Sequence, residues 1–385
     1  MRIVGTGTIV GETVAAGIPL RRGRVVLLTE AGRDVDHHET ATQRHIGREV
    51  AALLGYAFAG EHEGGVLAWP TYAVPLQTLL AREADALGIR NEGDLLGGVV
   101  PHAFVAGKAI THGILSRDAA APEAWSIDLA RDLDGAVLEG YAAFSRSDAR
   151  VAAARLLQRG PIRLKAAVAR GGHGQAVCAT LDHFDTAALA IADDELARHG
   201  VVVERNLADA STYSIGTTRV GASRISYFGR QRTVIDHLGR EVYGGSDLVA
   251  VRGDFRALSS LGMPAVVATA LAKALHYDAA VAAAYPLFYA SRRNYDVVHG
   301  FDIDGFAHIG VLEQSWRIGG ATPAELLALR AFAADPYLAS IRVATHEAYG
   351  NPTPPADAIV YFEDSAMRFG GLVKYAQAKT DGYPP

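Results

Sequence analysis

Apolar and polar residues alternate with a period of two on either side of a glycine-rich segment near the middle of the chain. Within Pro161–Thr180, every second position from Ile162 to Val168 is apolar, which is the pattern of a strand. Three glycines follow, and glycine permits the positive φ angles of a sharp turn. A second apolar run comes after them, so the sequence predicts a β-hairpin. The predicted turn contains Gly171, Gly172, His173, Gly174 and Gln175.

At the front of the chain, the apolar runs predict the order strand, helix, strand, helix. The first strand is predicted at Arg24–Thr29, and residues 39–54 have apolar positions at helical spacing. The second strand is predicted at Val66–Tyr72 and the second helix at Leu76–Leu87. This alternation favours a small parallel α/β domain.

Further along, the pattern predicts helices separated by antiparallel strands. Helices are predicted at Ser145–Gly160, Thr186–His199, Pro264–Tyr285 and Pro323–Ala333. Strands are predicted at Val201–Glu204, within residues 224–253 around a turn at Gly239 and Arg240, and on both sides of a turn at Gly305. The segment beyond Pro352 has no pattern that predicts an element.

Size and composition place the chain among globular proteins. Its 385 residues exceed one ordinary core, so two or three packed subdomains are expected. Hydrophobic residues make up 49% and charged residues 21%, both typical of globular proteins. A net charge of −5 without a long basic run gives no reason to expect nucleic acid as a partner. The single cysteine, Cys178, excludes an intramolecular disulfide and a cysteine metal cluster.

The first residues and the hydropathy pattern indicate the cellular compartment in which the protein is expected. No apolar run approaches the roughly 20 residues that a membrane helix requires, and the first residues lack the order of a signal peptide. We therefore expect a cytoplasmic protein without a membrane partner. Gly5, Gly7 and Gly11 imitate a dinucleotide-binding fingerprint, but Val10 stands where the third glycine belongs. An oxidoreductase built on this triplet is the least favoured interpretation.

Two lysines are candidates for binding phosphates. Lys165 precedes the glycine turn, and a lysine beside bare backbone amides suits a polyphosphate, although a hairpin with a surface lysine fits the stretch equally well. Gly107 and Lys108 resemble the end of a phosphate-binding Walker A loop, but the other positions of that motif do not match. Lys108 is therefore either a phosphate contact at a helix start or a surface lysine.

Acidic residues near the end of the chain are candidates for binding Mg²⁺. Glu313, Ser315 and Arg317 alternate along a predicted strand, and Asp302 precedes them across the predicted turn. Carboxylates from two neighbouring strands hold Mg²⁺ against phosphates in many proteins, and an arginine stabilises the transferred group. An edge hairpin with solvated charges is the alternative, but an unpaired carboxylate in the apolar surroundings of Glu313 would be costly.

The order of these parts resembles the ATP-grasp superfamily over roughly residues 94–330. The resemblance implies a mixed α/β (α+β) ATP-grasp fold with an N-terminal Rossmann-like pre-ATP-grasp domain. It implies three domains: residues 1–115 form the N-terminal domain, residues 116–210 the lid with its glycine loop, and residues 211–385 the C-terminal part with the metal-binding strands.

The resemblance also implies roles for individual residues. Lys108, Lys165 and the glycine-loop residues Gly171, Gly172, His173, Gly174 and Gln175 would contact the nucleotide phosphates. Within VVVERNL, the residues that meet adenine would be Glu204, Arg205 and Leu207. The Mg²⁺ ligands would be Asp302, Glu313 and Ser315, and the catalytic arginines Arg317, Arg292 and Arg293. Ser315 departs from the family, which usually has Asn there, and Ser211 and Thr212 stand where an acid commonly holds the ribose.

The wider sequence resembles a bacterial ATP-grasp family of unknown function, some of whose members carry the label biotin carboxylase. The reaction type implied is activation of a carboxylate as an acyl-phosphate, followed by transfer to an amine, with ATP and Mg²⁺. As partners we expect a small-molecule carboxylate, a nucleophilic acceptor and a second copy of the chain. A high density of arginines favours an anionic substrate; these are Arg230, Arg232, Arg252, Arg292 and Arg293. A carboxyphosphate-forming enzyme and a non-catalytic ATP-binding regulator remain as alternatives.

Overall fold

The computed structural model describes residues 23–29, 37–167 and 174–379. Its strands are β1 (Arg24–Leu28), β2 (Ala57–Glu61), β3 (Thr71–Pro75), β4 (Leu79–Leu80), β5 (Gly98–Val100), β6 (Gly140–Ala143), β7 (Ile162–Ala166), β8 (Gln175–Cys178), β9 (Val201–Arg205), β10 (Ala208–Val220), β11 (Ser223–Ile235), β12 (Glu241–Arg252), β13 (Tyr289–Ala290), β14 (Arg292–Phe301), β15 (Ala307–Ser315), β16 (Ser340–Ala348), β17 (Ile359–Glu363) and β18 (Val373–Lys379). Its helices are α1 (His38–Leu54), α2 (Ala81–Leu87), α3 (Ile127–Asp132), α4 (Arg146–Leu156), α5 (Leu181–Ala188), α6 (Asp193–His199), α7 (Phe255–Leu258), α8 (Ala265–Ala284) and α9 (Thr322–Ala334). The glycine triplet Gly5, Gly7 and Gly11 and the loop residues Gly171, Gly172 and His173 lie outside the described residues.

The front of the chain forms a parallel sheet, as the sequence predicts. Strand β1 lies between β2 and β3, both parallel to it, and α1 buries Ile46 and Val50 in the same core as Val25. The strand predicted at Val66–Tyr72 corresponds to β3, which begins at Thr71, so that boundary is wrong, and strand β2 was not predicted. Val66 is exposed and covers no core. The predicted helix at Leu76 begins only at Ala81, because β4 pairs with β5 before it.

The middle of the chain forms a four-stranded sheet in the order β6-β9-β7-β8. The predicted hairpin is confirmed, because β7 and β8 are antiparallel with Lys165 opposite Gln175. The helix predicted at Thr186–His199 is instead split into α5 and α6. Helix α6 starts with three acidic residues in its first turn, which favours a new helix start there.

The C-terminal half is built on an eight-stranded sheet in the order β15-β14-β10-β11-β12-β16-β18-β17. Helix α8 covers one face of this sheet and α9 covers the other. Because successive side chains on a strand point to opposite faces, neighbouring residues join different cores. On β11, Phe228 packs with α8 and Tyr227 packs with α9. The division into domains at residues 115 and 210 stays a prediction, although the four-stranded sheet ends at Arg205 and the large sheet begins at Ala208.

Helix α8 corrects one statement made from the sequence. Its 20 residues are long and apolar enough to cross a membrane by length and composition, and in this respect α8 stands alone among the helices of the described residues. Its buried side chains, including Val267, Leu271 and Val281, belong to the core that contacts the large sheet.

Strands β16, β17 and β18 were not predicted from the sequence. They extend the large sheet beyond β12, with β16 paired to β12 and β18 paired to both β16 and β17. The segment that shows no pattern beyond Pro352 therefore contains two sheet strands. This extension brings Glu347 and Lys374 to the wall of the cavity described below.

His346 on β16 is expected to make folding stability depend on pH. Burial first, and then the charges of Arg232 and Lys379, lower its pKa to about 4. Between pH 6.5 and 4 the unfolded chain therefore binds a proton that the folded chain does not, so stability falls as pH falls. Between pH 7 and pH 5 the loss from this group is about 1–2 kcal/mol. Urea denaturation at both pH values should show that His346→Phe loses less folding stability than the wild type between pH 7 and pH 5. Equal losses in the two proteins would contradict the prediction.

Candidate functional site

A cavity of about 1030 Å³ is bounded by residues from all three parts of the fold. The N-terminal part contributes Gln77 and Thr78, and the four-stranded sheet contributes Lys165 and Glu204. The large sheet contributes residues of β10, β11, β12, β14, β15, β16 and β18. The cavity brings together most of the residues predicted from the sequence. These are Lys108, Lys165, Gln175, Glu204, Arg205, Leu207, Arg292, Glu313, Ser315 and Arg317.

Two buried lysines face this cavity, and each is paired with a glutamate. Strand β7 carries Lys165, whose ammonium contacts the Glu204 carboxylate. Lys108 lies in a short 3₁₀ turn, and its Nζ is 2.8 Å from Oε2 of Glu313. Lys165 is 3% exposed and Lys108 is 4% exposed, so neither is the surface lysine of the alternative interpretation.

The two ion pairs lie close to each other. Burial opposes ionisation of Glu204, but Lys165 and His112 outweigh it and bring the pKa of Glu204 down to about 2. Burial likewise opposes ionisation of Glu313, but first Lys108 and then Lys165 hold its pKa below the ordinary value. Lys165 and Glu313 both line the cavity, so the hairpin of β7 and β8 shares one cleft with strand β15.

Asp296 is the acidic residue that the structure places beside Glu313. The two residues are directly opposite each other in the antiparallel pair of β14 and β15. Burial, followed by the Glu313 charge, raises the pKa of Asp296 to about 6. The side-chain amides of Gln231 and Asn294 each donate to its Oδ1 at 2.8 Å and fix its orientation. Two carboxylates held this close suit a divalent cation, which relieves their repulsion.

Asp302, which the sequence analysis places in the metal site, does not reach this pair. It lies in the turn after β14, where its Oδ1 accepts from the backbone amides of Asp304 and Phe306. Its Oδ2 is 2.7 Å from His308 and 3.0 Å from Arg205. Asp302 is not among the residues that line the cavity. Its carboxylate stabilises the hairpin turn, and the acid that lies opposite Glu313 is Asp296.

The protein groups that could bind Mg²⁺ at this site are few. Within residues 23–29, 37–167 and 174–379, no three His, Cys, Asp or Glu side chains form a group that could hold a metal ion. Asp296 and Glu313 therefore supply two carboxylates, and Ser315 lines the cavity at the end of β15. Mg²⁺ commonly takes only one or two carboxylates from the protein and completes its shell with phosphate oxygens and water. The donor set fits Mg²⁺ on that basis.

Two of the three arginines predicted to be catalytic have other partners. Arg292 is 2% exposed, forms a two-bond ion pair with Glu325 at 2.8 and 2.6 Å, and donates to the carbonyl of Ser315. It therefore positions the strand end rather than offering a free charge. Arg293 is absent from the cavity wall and binds Asp278 at 2.9 and 3.0 Å. Arg317 lines the cavity and lowers the pKa of Glu313, so it stays the candidate.

The remaining arginines do not support an anion-binding clamp. Arg230 is exposed and donates to Ser211, while Arg252 donates to backbone carbonyls at the end of α9. Arg232 lines the cavity but contacts Asp247 and donates to the carbonyl of Thr345 at 2.6 Å. Every arginine that suggested an anionic substrate thus has a protein partner.

An apolar slot lies beside residues 204–207, the segment that the resemblance assigns to adenine and that is called the hinge below. Leu207, Leu138 and Val298 form a small buried cluster with Leu312 against it, and all four side chains line the cavity. A slot of this kind suits the flat face of a base. Glu204, which the resemblance assigns to adenine, uses its carboxylate to hold Lys165 and His112, the latter at 3.1 Å. That carboxylate is therefore not available to a base.

The other hinge and loop residues have structural partners. Arg205 binds Glu139 at 2.6 Å and Asp302 at 3.0 Å while lining the cavity. Gly174 has a φ of 65°, which favours glycine at the end of the loop. Asp296, Gln231 and Asn294 also belong to this site, and no motif in the sequence indicates them.

Comparison with known proteins identifies the fold. N5-carboxyaminoimidazole synthetase from Staphylococcus aureus, solved with ADP, superposes with a TM-score of 0.54 at 8% identity, covering 94% of this chain and 95% of that chain. Biotin carboxylase from Campylobacter jejuni gives 0.50 at 9% identity, covering 93% and 88%. Phosphoribosylamine–glycine ligase from Thermotoga maritima gives 0.50 at 14% identity, covering 92% and 90%. The predicted ATP-grasp fold is thereby confirmed.

Sequence comparison gives the family. No curated protein matches the sequence. The profile of the family described as Protein of unknown function (DUF3182) matches residues 26–376, which is most of the chain. The protein therefore belongs to the DUF3182 family and has the ATP-grasp fold.

Proposed function

We propose that the protein is an ATP- and Mg²⁺-dependent ligase of the ATP-grasp type. It activates a carboxylate as an acyl-phosphate and transfers the acyl group to an amine or a similar nucleophile. The observation that carries the proposal is the convergence of two buried lysines and a pair of carboxylates in one cavity, next to an apolar slot. This is the set of groups that a nucleoside triphosphate with its metal ion requires.

Each part of the site has a role in this reaction. The base lies in the slot formed by Leu207 and its neighbours, and Lys108 and Lys165 contact the phosphates. Asp296 and Glu313 would hold Mg²⁺, which would offset the negative charge of the phosphate oxygens. A carboxylate oxygen of the substrate attacks the γ-phosphorus, and the bond to the β-phosphate oxygen breaks to release ADP. The amine then attacks the acyl carbon, and inorganic phosphate leaves.

The extent of the cavity supports a second substrate. Beyond the phosphate end it continues to Tyr349 and Lys374, near the far edge of the large sheet. A protein that only binds a nucleotide has no need for this additional space. Ser315 at the third metal position is the observation that favours a non-catalytic ATP-binding regulator.

Release of ADP is the measurement that tests the proposal. The full-length protein is incubated with MgATP and a panel of carboxylic acids paired with amines. We expect ADP release that depends on both an acid and an amine, and a loss of at least about 100-fold in Glu313→Ala. Calorimetry with a non-hydrolysable ATP analogue and Mg²⁺ provides the binding control.

Each other outcome has a separate meaning. ADP release that requires bicarbonate and biotin would favour the carboxyphosphate-forming alternative. Binding of the analogue without turnover across the panel would favour the regulator. A folded protein that does not bind the analogue would contradict both the proposed function and the regulator.

A further inference from the structure

The chain uses lysine sparingly, and most of its lysines lie in one place. It contains five lysines against 32 arginines. Three of the five, Lys108, Lys165 and Lys374, line the cavity, and each is paired with a glutamate. The first two, Lys108 and Lys165, lie at the phosphate end of the cavity, where the nucleotide phosphates would bind. The third pair, Lys374 with Glu347, takes no part in the reaction described above.

The third pair is buried and faces the cavity. Lys374 on β18 lies directly opposite Glu347 on β16, with Nζ 3.0 Å from Oε1. Their side chains are 5% and 13% exposed. Thr345, two residues before Glu347 and on the same face of β16, bonds to the hydroxyl of Tyr243, which also lines the cavity. The pair therefore belongs to the cavity wall rather than to the outer surface.

Both charged groups of this pair have hydrogen-bonding capacity that no other described residue takes up. Within the described residues, the Lys374 ammonium has Glu347 as its partner and no other, although an ammonium has three donors. Glu347 has Lys374 alone as its partner there, and its Oε2 accepts no hydrogen bond from those residues. Neither the Lys374 ammonium nor the Glu347 carboxylate is among the buried polar atoms of the described residues that lack a partner, so both are reached from the cavity that they line. The remaining donors and the second carboxylate oxygen are therefore available to a ligand.

The pair and the metal site share one cavity. Lys374 and Glu347 line it together with Tyr243 and Asp296. Burial first, and then the charges of Glu347 and Asp296, raise the pKa of Tyr243, in agreement with this arrangement. A small molecule that contacts Lys374 and Glu347 can extend past Tyr243 toward the place where the γ-phosphate would lie.

The chemistry of the pair selects one kind of ligand. A purely anionic group would meet the Glu347 charge, and a purely cationic group would meet the Lys374 charge. A molecule with a carboxylate and an ammonium on the same carbon pairs with both and adds no net charge to the buried site. We propose that this end of the cavity binds the head group of an α-amino acid as one of the two substrates.

This inference rests on the proposed function for the statement that the amino acid reacts. Its head group is anchored at Lys374 and Glu347, so the reacting carboxylate or amine lies on its side chain, toward Asp296 and Glu313. The binding itself does not depend on ATP, and it can be measured without turnover.

Calorimetry on the full chain tests the binding, with and without the MgATP analogue. The probes are the common L-amino acids, each compared with its α-N-acetyl and α-carboxamide derivatives. We expect at least one amino acid to bind, and each derivative to bind at least about tenfold more weakly. The double variant Lys374→Met/Glu347→Gln should lose the same factor without leaving an unpaired buried charge.

A matched control separates binding from stability. Lys379→Met changes another lysine of β18, one that pairs with Asp247 and is absent from the cavity wall, so it should keep amino-acid affinity. Both variants should keep the affinity for the ATP analogue within about twofold. Wild-type affinity in the double variant, or equal affinity for the blocked derivatives, would overturn the proposal. A protein that binds the analogue but no amino acid would overturn it as well and leave the proposed function standing. A protein that binds an amino acid but not the analogue would support the amino-acid site and contradict the proposed function.

Discussion

Asp296→Asn is expected to abolish Mg²⁺-dependent ATP turnover, with a loss of at least about 100-fold in the rate of ADP release. Asparagine keeps the shape of the side chain and its contacts with Gln231, but it removes the charge that faces Glu313. With one carboxylate instead of two, the site holds Mg²⁺ more weakly and neutralises less of the charge on the phosphates. ADP release measured over a range of Mg²⁺ concentrations checks this, because part of the loss should be recovered at high Mg²⁺.

Asp302→Asn is the matched control, since it makes the same chemical change on the same hairpin. Asparagine still accepts the turn hydrogen bonds from Asp304 and Phe306. We therefore expect ADP release within a few-fold of the wild type and an unchanged Mg²⁺ dependence. A large loss in Asp302→Asn together with normal activity in Asp296→Asn would place Asp302, rather than Asp296, in the metal site.

The register of the hairpin explains why the sequence favours Asp302 as a metal ligand, whereas the structure places Asp296 beside Glu313. From the sequence, Asp302 is an acid that directly precedes the turn and Glu313. In the structure the pairing of β14 with β15 shifts between Asp296 and Val297, so that Val297 faces Val311 while Asp296 faces Glu313. Without the shift Asp296 would face Leu312. A bulge of one residue changes which side chains share a face, and no pattern in the sequence marks its position.

Elements defined by local contacts could be predicted, and contacts between distant segments could not. The period of two on either side of the glycines predicts the hairpin of β7 and β8, and the helical spacing predicts α1 and α8. Lys374 and Glu347 become neighbours only because β18 pairs with β16. The arginines show the same limit, because Asp278 and Glu325, which bind Arg293 and Arg292, are distant in sequence.

Lys165→Met is expected to remove nucleotide binding and to destabilise the fold by about 3–5 kcal/mol. The variant leaves the Glu204 carboxylate, which is 1% exposed, with His112 at 3.1 Å as its remaining side-chain partner. The double variant Lys165→Met/Glu204→Gln removes both charges, so we expect it to recover most of the stability without recovering nucleotide affinity. Urea denaturation measures the first quantity, and calorimetry with the MgATP analogue measures the second. Wild-type affinity in the double variant would show that Lys165 is structural only.

Glu204→Gln alone distinguishes the two roles of Lys165 most directly. This variant leaves the Lys165 ammonium buried without its carboxylate, so the free protein should be less stable than the wild type. A nucleotide phosphate would then replace the missing negative charge. We therefore expect the MgATP analogue to raise the melting temperature of Glu204→Gln by more than it raises that of the wild type. Lys273→Met, a change at a lysine that is absent from the cavity wall, should leave the wild-type increase unaltered. An equal or smaller increase in Glu204→Gln would mean that the phosphates do not contact Lys165.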